Sequence, residues 1–128
     1  MNTKSRGKTS FISSVNHCLD GISYTLKTER NFRIEFIFAF LVVILGFILK
    51  ISLIEWIICL LLISFVLVLE LINTAIERLT DFVKKDYDEE IKNIKDITAA
   101  FVFVMSSFAF VIGLIIFAPK ILALIIGG

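Results

Sequence analysis

Apolar residues are concentrated in three long runs that are separated by short polar segments. The runs occupy positions 36–49, 51–69 and 97–118, and the third contains no charged residue. In a helix, about 22 residues extend about 33 Å, which is enough to cross a hydrocarbon core of about 30 Å. The pattern therefore predicts an all-α integral membrane protein with a single domain, residues 1–128, and transmembrane helices at 34–49, 53–84 and 94–118.

A further helix is predicted ahead of the first apolar run, over positions 9–28. Its apolar residues recur at steps of three and four, which is the spacing of one helix face, at Phe11, Ile12, Val15, Leu19, Ile22 and Leu26. The opposite face carries polar side chains, so the segment is too polar to span a bilayer. We expect an amphipathic surface helix that lies in the membrane interface with its apolar face toward lipid.

The connections between the predicted spans are short. Residues 50–52 are expected to form a turn after the first apolar run. The second helix is expected to continue past its apolar run to Lys84, because the sequence from Glu70 to Lys84 contains neither Pro nor Gly. A charged loop is predicted at 85–93, and Pro119 is expected to lie at the far membrane interface.

Three polar side chains follow the second apolar run, where a membrane helix is normally apolar. They are Glu70, Asn73 and Glu77. An acidic residue in the middle of a membrane helix costs about 2.5–3.5 kcal/mol on insertion scales, and such residues usually have a function. At about 100° per residue, Glu77 returns to within about 20° of Glu70, and Asn73 lies about 60° away. We call these three residues the polar stripe and expect them to face the same neighbour.

Lysine and arginine are distributed unequally about the predicted spans. Eleven lie before the first apolar run or between the second and third runs, and only Lys50 and Lys120 lie on the other side. Cytoplasmic segments of membrane proteins are enriched in Lys and Arg. The N-terminus and the 85–96 segment are therefore predicted to face the cytoplasm, and the C-terminus is predicted to lie outside.

Composition argues against several other classes of protein and site. Hydrophobic residues make up 58% of the chain, and the formal net charge is +1 without a basic helix face. A nucleic-acid partner is therefore not expected. The two cysteines, Cys18 and Cys59, are separated by membrane depth, so neither a disulfide nor a cysteine metal site is expected.

The predicted topology brings several acidic positions to one membrane interface. Glu29 precedes the first span, the polar stripe reaches the same interface, and Asp96 follows Lys95 ahead of the third span. Carboxylate and amide oxygens are ligands for Mg²⁺, which completes its coordination with phosphate oxygens and waters. Basic side chains suited to neutralising those phosphates lie nearby, at Arg33, Lys84 and Lys95. This chemistry suits transfer of a phosphoryl group from a soluble nucleotide to a lipid hydroxyl.

In such a reaction the two carboxylates of the stripe would have different roles. Glu70 lies deeper in the membrane and would accept the proton of the attacking hydroxyl. Glu77 lies about 10 Å closer to the cytoplasm by helix rise and would bind metal together with Glu29. Glu29 and Arg33 are also spaced for a helix-surface ion pair. Because the chain lacks a Gly-rich nucleotide-binding loop, spacing alone leaves open a kinase, a transporter subunit or a small scaffold.

Polar residues at fixed spacing across three segments carry a resemblance to a known family. They comprise the octapeptide Glu-Leu-Ile-Asn-Thr-Ala-Ile-Glu at 70–77 and, around it, Gly21, Glu29, Asn31-Phe32-Arg33, Asp81, Tyr87, Lys95-Asp96 and Ala99-Ala100. This combination resembles the small bacterial integral-membrane lipid kinases, the prokaryotic diacylglycerol kinase and undecaprenol kinase family. The similarity extends over about residues 10–118.

The resemblance implies an ATP- and Mg²⁺-dependent lipid kinase of the bacterial cytoplasmic membrane. It also implies a homotrimer, with a surface helix and three spans per chain and with active sites shared between subunits. By matching position, Glu70 would be the general base, and Glu29 and Glu77 would hold the metal. Residues implied to contact the nucleotide are Asn73, Glu77, Lys95, Asp96, Asp86, Tyr87, His17 and Ser10. Residues implied to lie near the lipid are Glu70, Arg33, Glu35 and Asn31.

Two positions of the predicted surface helix depart from part of this family. Ser10 stands where a basic residue is often found, and His17 stands where a Tyr often contacts the nucleotide base. Asn31-Phe32-Arg33 resembles the Gram-positive undecaprenol kinases more than the Gram-negative diacylglycerol kinases. We therefore expect conversion of undecaprenol to undecaprenyl phosphate, with conversion of diacylglycerol to phosphatidic acid as the alternative. A rival from another class is a non-enzymatic oligomeric membrane protein whose acidic stripe lines an ion path.

Overall fold

The computed structural model describes residues 10–127, which form four helices. These are α1 (Ser10–Thr28), α2 (Arg30–Ile48), α3 (Leu53–Val83) and α4 (Glu89–Gly127). Each of α2, α3 and α4 is long and apolar enough to cross a membrane. The prediction of an all-α fold with three membrane-spanning helices is therefore confirmed, while the predicted start of the first helix at position 9 lies outside the described residues.

The third helix is the central element of the fold. α3 packs most extensively against α4, then against α2, and it also contacts α1. α1 packs against α2 and α3 and leaves the first part of the predicted apolar face uncovered by protein, with Phe11, Ile12 and Leu19 exposed. This exposed apolar face is what a helix lying in the membrane interface requires.

The turn between α2 and α3 is fixed by caps on both helices. The backbone N–H of Ile51 donates to the carbonyl of Gly46, and Lys50 takes a left-handed φ of 51°, which together close α2 in a Schellman motif. Ser52 then caps α3: its hydroxyl accepts from the Glu55 N–H, and the Glu55 carboxylate accepts from the Ser52 N–H. The predicted turn at 50–52 is thus confirmed.

A small apolar cluster closes the same end of the helix bundle. Its buried members are Ile51, Cys59, Ile116 and Phe117, which lie on the turn, α3 and α4. Nearby, α2 approaches α3 closely because residue 46 is Gly: a Cβ built there would lie 2.7 Å from Cη2 of Trp56. That indole packs in turn on Phe47, with ring centroids 4.8 Å apart.

The helix boundaries differ from the prediction at three places. α2 begins at Arg30, ahead of the predicted span at 34–49, and the Arg33 N–H donates to the Glu29 carbonyl at 3.3 Å to close its first turn. α4 continues through Pro119 to Gly127 instead of ending at 118. Proline is tolerated within membrane helices because neighbouring groups can satisfy the freed carbonyl. The third difference is at the N-terminus of α4, which begins earlier than predicted.

α4 begins at Glu89, so the second half of the predicted loop at 85–93 is helical. The Asp88 carboxylate accepts hydrogen bonds from two backbone N–H groups of the first turn and so caps the helix. The Lys84 ammonium, which donates to Asp88 at 2.8 Å, together with these N–H groups lowers the pKa of the Asp88 carboxyl below its usual value. The capping contribution is therefore present above that usual value and is lost as the pH falls through the lowered pKa.

The close approach at Gly46 leads to a test with a matched control. Gly46→Ala should destabilise the protein by about 1–3 kcal/mol, because the new methyl group overlaps the Trp56 ring. Gly113→Ala makes the same change in α4 at a position with no atom within 4 Å of the new Cβ. It should be neutral or stabilising by up to about 1 kcal/mol through helix propensity. Unfolding in mixed micelles measures both, and equal effects of the two substitutions would contradict the packing at Gly46.

Candidate active site

The polar stripe of α3 is brought together with two acidic residues from other parts of the chain. Glu70 is 3% exposed and Asn73 is also buried, although both lie on a largely apolar helix. Glu29, Glu35 and Glu77 each lie close enough to Glu70 for the charge of each to act on Glu70. We call Glu29, Glu35, Glu70 and Glu77 the acidic cluster.

The junction between α1 and α2 positions the Glu29 carboxylate. Glu29 has an extended backbone between the two helices, and its N–H still donates to the Thr25 carbonyl at 2.8 Å. The Arg33 guanidinium reaches back and donates to the carbonyls of Leu26 and Lys27 at 2.9 and 3.1 Å, which satisfies the end of α1. The chain therefore turns at Glu29 and presents its side chain to α3.

At α3 the Glu29 carboxylate meets Arg78. Nη2 of Arg78 lies 3.0 Å from Oε1 of Glu29, and its Cζ lies 5.5 Å from the ring centroid of Tyr24 on α1. The sequence spacing allows an ion pair between Glu29 and Arg33, but in the structure Glu29 pairs with Arg78, because Arg33 donates its hydrogen bonds to the carbonyls of α1. Arg78 joins α1, the junction and α3 at one point.

Several polar atoms at the site are buried without a hydrogen-bond partner. Among the described residues these are Oε2 of Glu35, Oδ1 of Asn73 and Oγ1 of Thr74. The Asn73 amide nitrogen does have a contact, a 3.4 Å hydrogen bond to Oε1 of Glu77. Buried polar atoms are normally paired, so three unpaired acceptors or hydroxyls in one region indicate a place that binds something polar.

A second set of polar side chains lies where α3 and α4 meet. Lys95 of α4 forms an ion pair with Asp81 of α3, and Lys92 donates to Asp96 at 2.7 Å along α4. In the connection between the helices, Asp86 is exposed and Tyr87 is 80% exposed. The residues predicted to contact the nucleotide here thus lie in the connection between α3 and α4 and in the first two turns of α4.

The remaining predicted site residues are exposed on the surface. Ser10 is exposed at the start of α1, and His17 is exposed on the same helix with Nε2 3.4 Å from the Ser13 hydroxyl. Asn31 is exposed in the first turn of α2. The structure gives these three side chains no contact that would assign them a role.

The donor atoms at the acidic cluster fit a magnesium ion that arrives with phosphates. Within residues 10–127 no three carboxylate, histidine or cysteine side chains form a preassembled metal site. Mg²⁺ does not need one, because it characteristically binds one or two carboxylates and keeps waters and phosphate oxygens. Glu29 and Glu77 offer two carboxylates, and the unpartnered Oδ1 of Asn73 offers an amide oxygen.

Two residues at the site were not identified as site residues from the sequence. In the sequence Arg78 contributes only to the predicted membrane orientation, because its partner Glu29 is 49 positions away in the chain. Thr74 lies inside the octapeptide that carries the resemblance, but threonine is common in membrane helices and gave no separate signal. Its burial without a partner is visible only in the folded chain.

Comparison with known proteins gives matches over most of the chain. Residues 16–117 match the family model described as prokaryotic diacylglycerol kinase. An undecaprenol kinase of Bacillus subtilis is 41% identical over 111 residues, which cover 87% of this chain and 90% of the relative. A diacylglycerol kinase of Haemophilus influenzae is 33% identical, covering 79% and 86%. A diacylglycerol kinase of Synechocystis is 32% identical, covering 88% of this chain and 65% of the relative.

Two buried threonines test whether the site carries unsatisfied polar groups. Thr74 and Thr98 are 4% and 3% exposed, but only the Thr98 hydroxyl has a partner, the Lys95 carbonyl at 2.9 Å. Thr98→Val should destabilise by about 0.5–1.5 kcal/mol through loss of that hydrogen bond, whereas Thr74→Val should be neutral or stabilising. Unfolding in mixed micelles compares them, and a larger loss at Thr74 would contradict the unsatisfied hydroxyl.

Proposed function

Because the chain belongs to the prokaryotic diacylglycerol kinase family and is therefore a lipid kinase, we propose that it transfers the γ-phosphoryl group of ATP to undecaprenol with the aid of Mg²⁺. The product is undecaprenyl phosphate. The observation that carries this proposal is the burial of Glu70 in an apolar helix next to Glu29 and Glu77. A carboxylate at membrane depth beside carboxylates nearer the end of the apolar run suits a lipid hydroxyl that meets a soluble nucleotide.

Glu70 is the general base in this proposal. The lipid hydroxyl oxygen attacks the γ-phosphorus, the bond from that phosphorus to the β,γ-bridging oxygen breaks, and ADP leaves. The hydroxyl proton passes to the Glu70 carboxylate, which is buried next to the apolar run of α3. Because phosphoryl transfer depends largely on positioning, the rigid α3 helix contributes by fixing the height of the base relative to the nucleotide.

Glu29 and Glu77 hold the metal in this proposal, and Asn73 orients the site. Bound Mg²⁺ would neutralise charge on the phosphates during transfer. The Asn73 amide nitrogen donates to Oε1 of Glu77 and holds that carboxylate in place. Its unpartnered Oδ1 stays available to a polar ligand. Asn73 thus lies between Glu70 and Glu77 on one face of α3 and acts there as a positioning residue.

The nucleotide lies on the cytoplasmic side in this proposal, as the excess of Lys and Arg there favours. Lys95, Asp96, Asp86 and Tyr87 contact it from the surface where α3 and α4 meet, and Ser10 and His17 contact it from α1. Lys95 and Asp96 already hold partners, Asp81 and Lys92, so nucleotide contact there exchanges one charged partner for another. The lipid lies beside Glu70, with Glu35, Arg33 and Asn31 at the start of α2.

The proposed assembly is a homotrimer with sites shared between subunits, which the family resemblance supports. Glu35 and Asn73 each have a buried carboxylate or amide oxygen without a partner among the described residues. Groups from a neighbouring subunit or from a substrate would satisfy these atoms. Exposed apolar side chains along α2, α3 and α4 provide surface for both subunit contacts and lipid.

The lipid preference is tested by measuring both substrates side by side. Purified protein in detergent should phosphorylate undecaprenol with a higher kcat/KM than a diacylglycerol, and chelation of Mg²⁺ should abolish both reactions. The identity to a Bacillus subtilis undecaprenol kinase and the Asn31-Phe32-Arg33 segment motivate this order. Equal or faster turnover of diacylglycerol would overturn the undecaprenol assignment and leave the kinase assignment intact.

Glu70→Gln tests the general base. The amide keeps the size of the side chain but cannot accept the hydroxyl proton, so kcat should fall by about 10²-fold or more. Glu55→Gln is the matched control on the same helix, since Glu55 caps α3 at the opposite end and pairs with Lys120. The control should retain kcat within about twofold, as glutamine also serves in a capping box. Wild-type turnover by a folded Glu70→Gln protein would disprove the base assignment.

A further inference from the structure

Arg78 is the basic side chain that the structure holds against the acidic cluster. It pairs with Glu29 at 3.0 Å, and its guanidinium lies over the Tyr24 ring at 5.5 Å from the centroid. About half of the Arg78 side chain is exposed, so the group is accessible to a soluble ligand as well as to its partner. It follows Glu77 directly in the chain, which places it at the more polar end of the stripe.

Other basic side chains near this end of the molecule have different partners. Lys95 pairs with Asp81, Lys92 with Asp96, and Lys84 with Asp88. Arg33 donates to the carbonyls at the end of α1. Among the ion pairs of the described residues, Arg78 is therefore the cation that pairs with a member of the acidic cluster.

In the proposed reaction the Glu29 carboxylate binds two different cations, one after the other. Glu29 holds Arg78 in the structure, and by the proposed function it holds Mg²⁺ when the nucleotide binds. A dication competes well with a guanidinium for a carboxylate oxygen, and the arriving phosphates offer the guanidinium a replacement. Arginine is well suited to that exchange, because its planar fork matches two oxygens of a phosphate as well as those of a carboxylate.

Tyr24 keeps the guanidinium near the site throughout such an exchange. The ring face attracts a cation regardless of which anion the guanidinium also contacts. Tyr24 lies on α1, five residues before the junction at Glu29, so the ring and the Glu29 carboxylate contact the guanidinium from the same part of the chain. The side chain of Arg78 therefore needs only a local rotation to pass from Glu29 to a phosphate oxygen.

We infer that Arg78 binds a phosphate oxygen of the nucleotide, and that its ion pair with Glu29 is the nucleotide-free form of this contact. The inference rests on the proposed function. It makes Arg78 a substrate-binding residue that also occupies Glu29 until the metal and nucleotide arrive. Its removal should therefore affect the binding of metal alone and the binding of metal with nucleotide in opposite directions.

The test measures Mn²⁺ binding by the loss of its free electron paramagnetic resonance signal, with and without β,γ-methylene-ATP, a nucleotide that cannot transfer its γ-phosphoryl group. The protein is the full chain in detergent micelles. In Arg78→Gln, Mn²⁺ alone should bind at least about threefold more tightly, because its competitor at Glu29 is gone. Mn²⁺ with the analogue should bind about tenfold more weakly, because a charge-assisted contact to phosphate is lost.

Two further variants make the comparison specific. Arg78→Lys keeps the charge without the fork, so it should leave Mn²⁺ binding near the wild-type value and weaken binding with the analogue by a few-fold. Arg30→Gln removes an exposed arginine next to Glu29 in sequence, and it should leave both affinities within about twofold of wild type. Helical circular dichroism confirms that each variant is folded.

The outcomes separate the inference from the proposed function. A fall in both affinities would indicate a purely structural role for Arg78, and unchanged affinities would indicate no role, so either result overturns the inference. In both cases wild-type binding of Mn²⁺ with the analogue leaves the proposed function intact. If the wild-type protein binds neither Mn²⁺ nor the analogue, the proposed use of metal and nucleotide fails together with the inference.

Discussion

The burial of a carboxylate in an apolar helix is the constraint on which the rest of the site depends. Glu70 is almost fully enclosed, and the groups whose charges act on it are themselves acidic. Such an arrangement is unfavourable for the folded chain and becomes favourable when positive charge is added. The acidic cluster therefore has the electrostatics of a site that binds cations, and Arg78 is the cation the protein itself supplies at its edge.

Stability and chemistry occupy different parts of α3. Near its start, a capping box, the Glu55–Lys120 ion pair and the apolar cluster around Cys59 fix the helix against the turn and α4. Farther along, the segment that begins at Glu70 contains two buried polar atoms without partners, on Asn73 and Thr74. The start of α3, where caps, an ion pair and apolar contacts are complete, thus holds in position a segment whose buried polar atoms lack hydrogen-bond partners. Such an arrangement is common when a site is selected for binding.

Helix number and the polar stripe followed directly from sequence, whereas helix ends and side-chain partners did not. Runs of apolar residues are long enough to identify spans by themselves, and the period of the helix places Glu70, Asn73 and Glu77 on one face. The charged segment at 85–93 predicts a loop, but Asp88 caps a helix there, so α4 begins earlier than the sequence predicts. The sequence does not predict the extension of α4 through Pro119, because proline usually ends helices outside the membrane.

The sequence by itself determined that three helices cross a membrane, that one face of α3 carries carboxylates at membrane depth, and that the chain resembles lipid kinases. These properties depend on composition and local periodicity, which can be read along the sequence without knowing how the helices pack. Only the tertiary structure decided that Glu29 pairs with Arg78 rather than Arg33, and that Lys95 pairs with Asp81. Partners far apart in sequence are selected by how the helices pack, and the competition of α1 carbonyls for Arg33 exists only once α1 and α2 meet at Glu29.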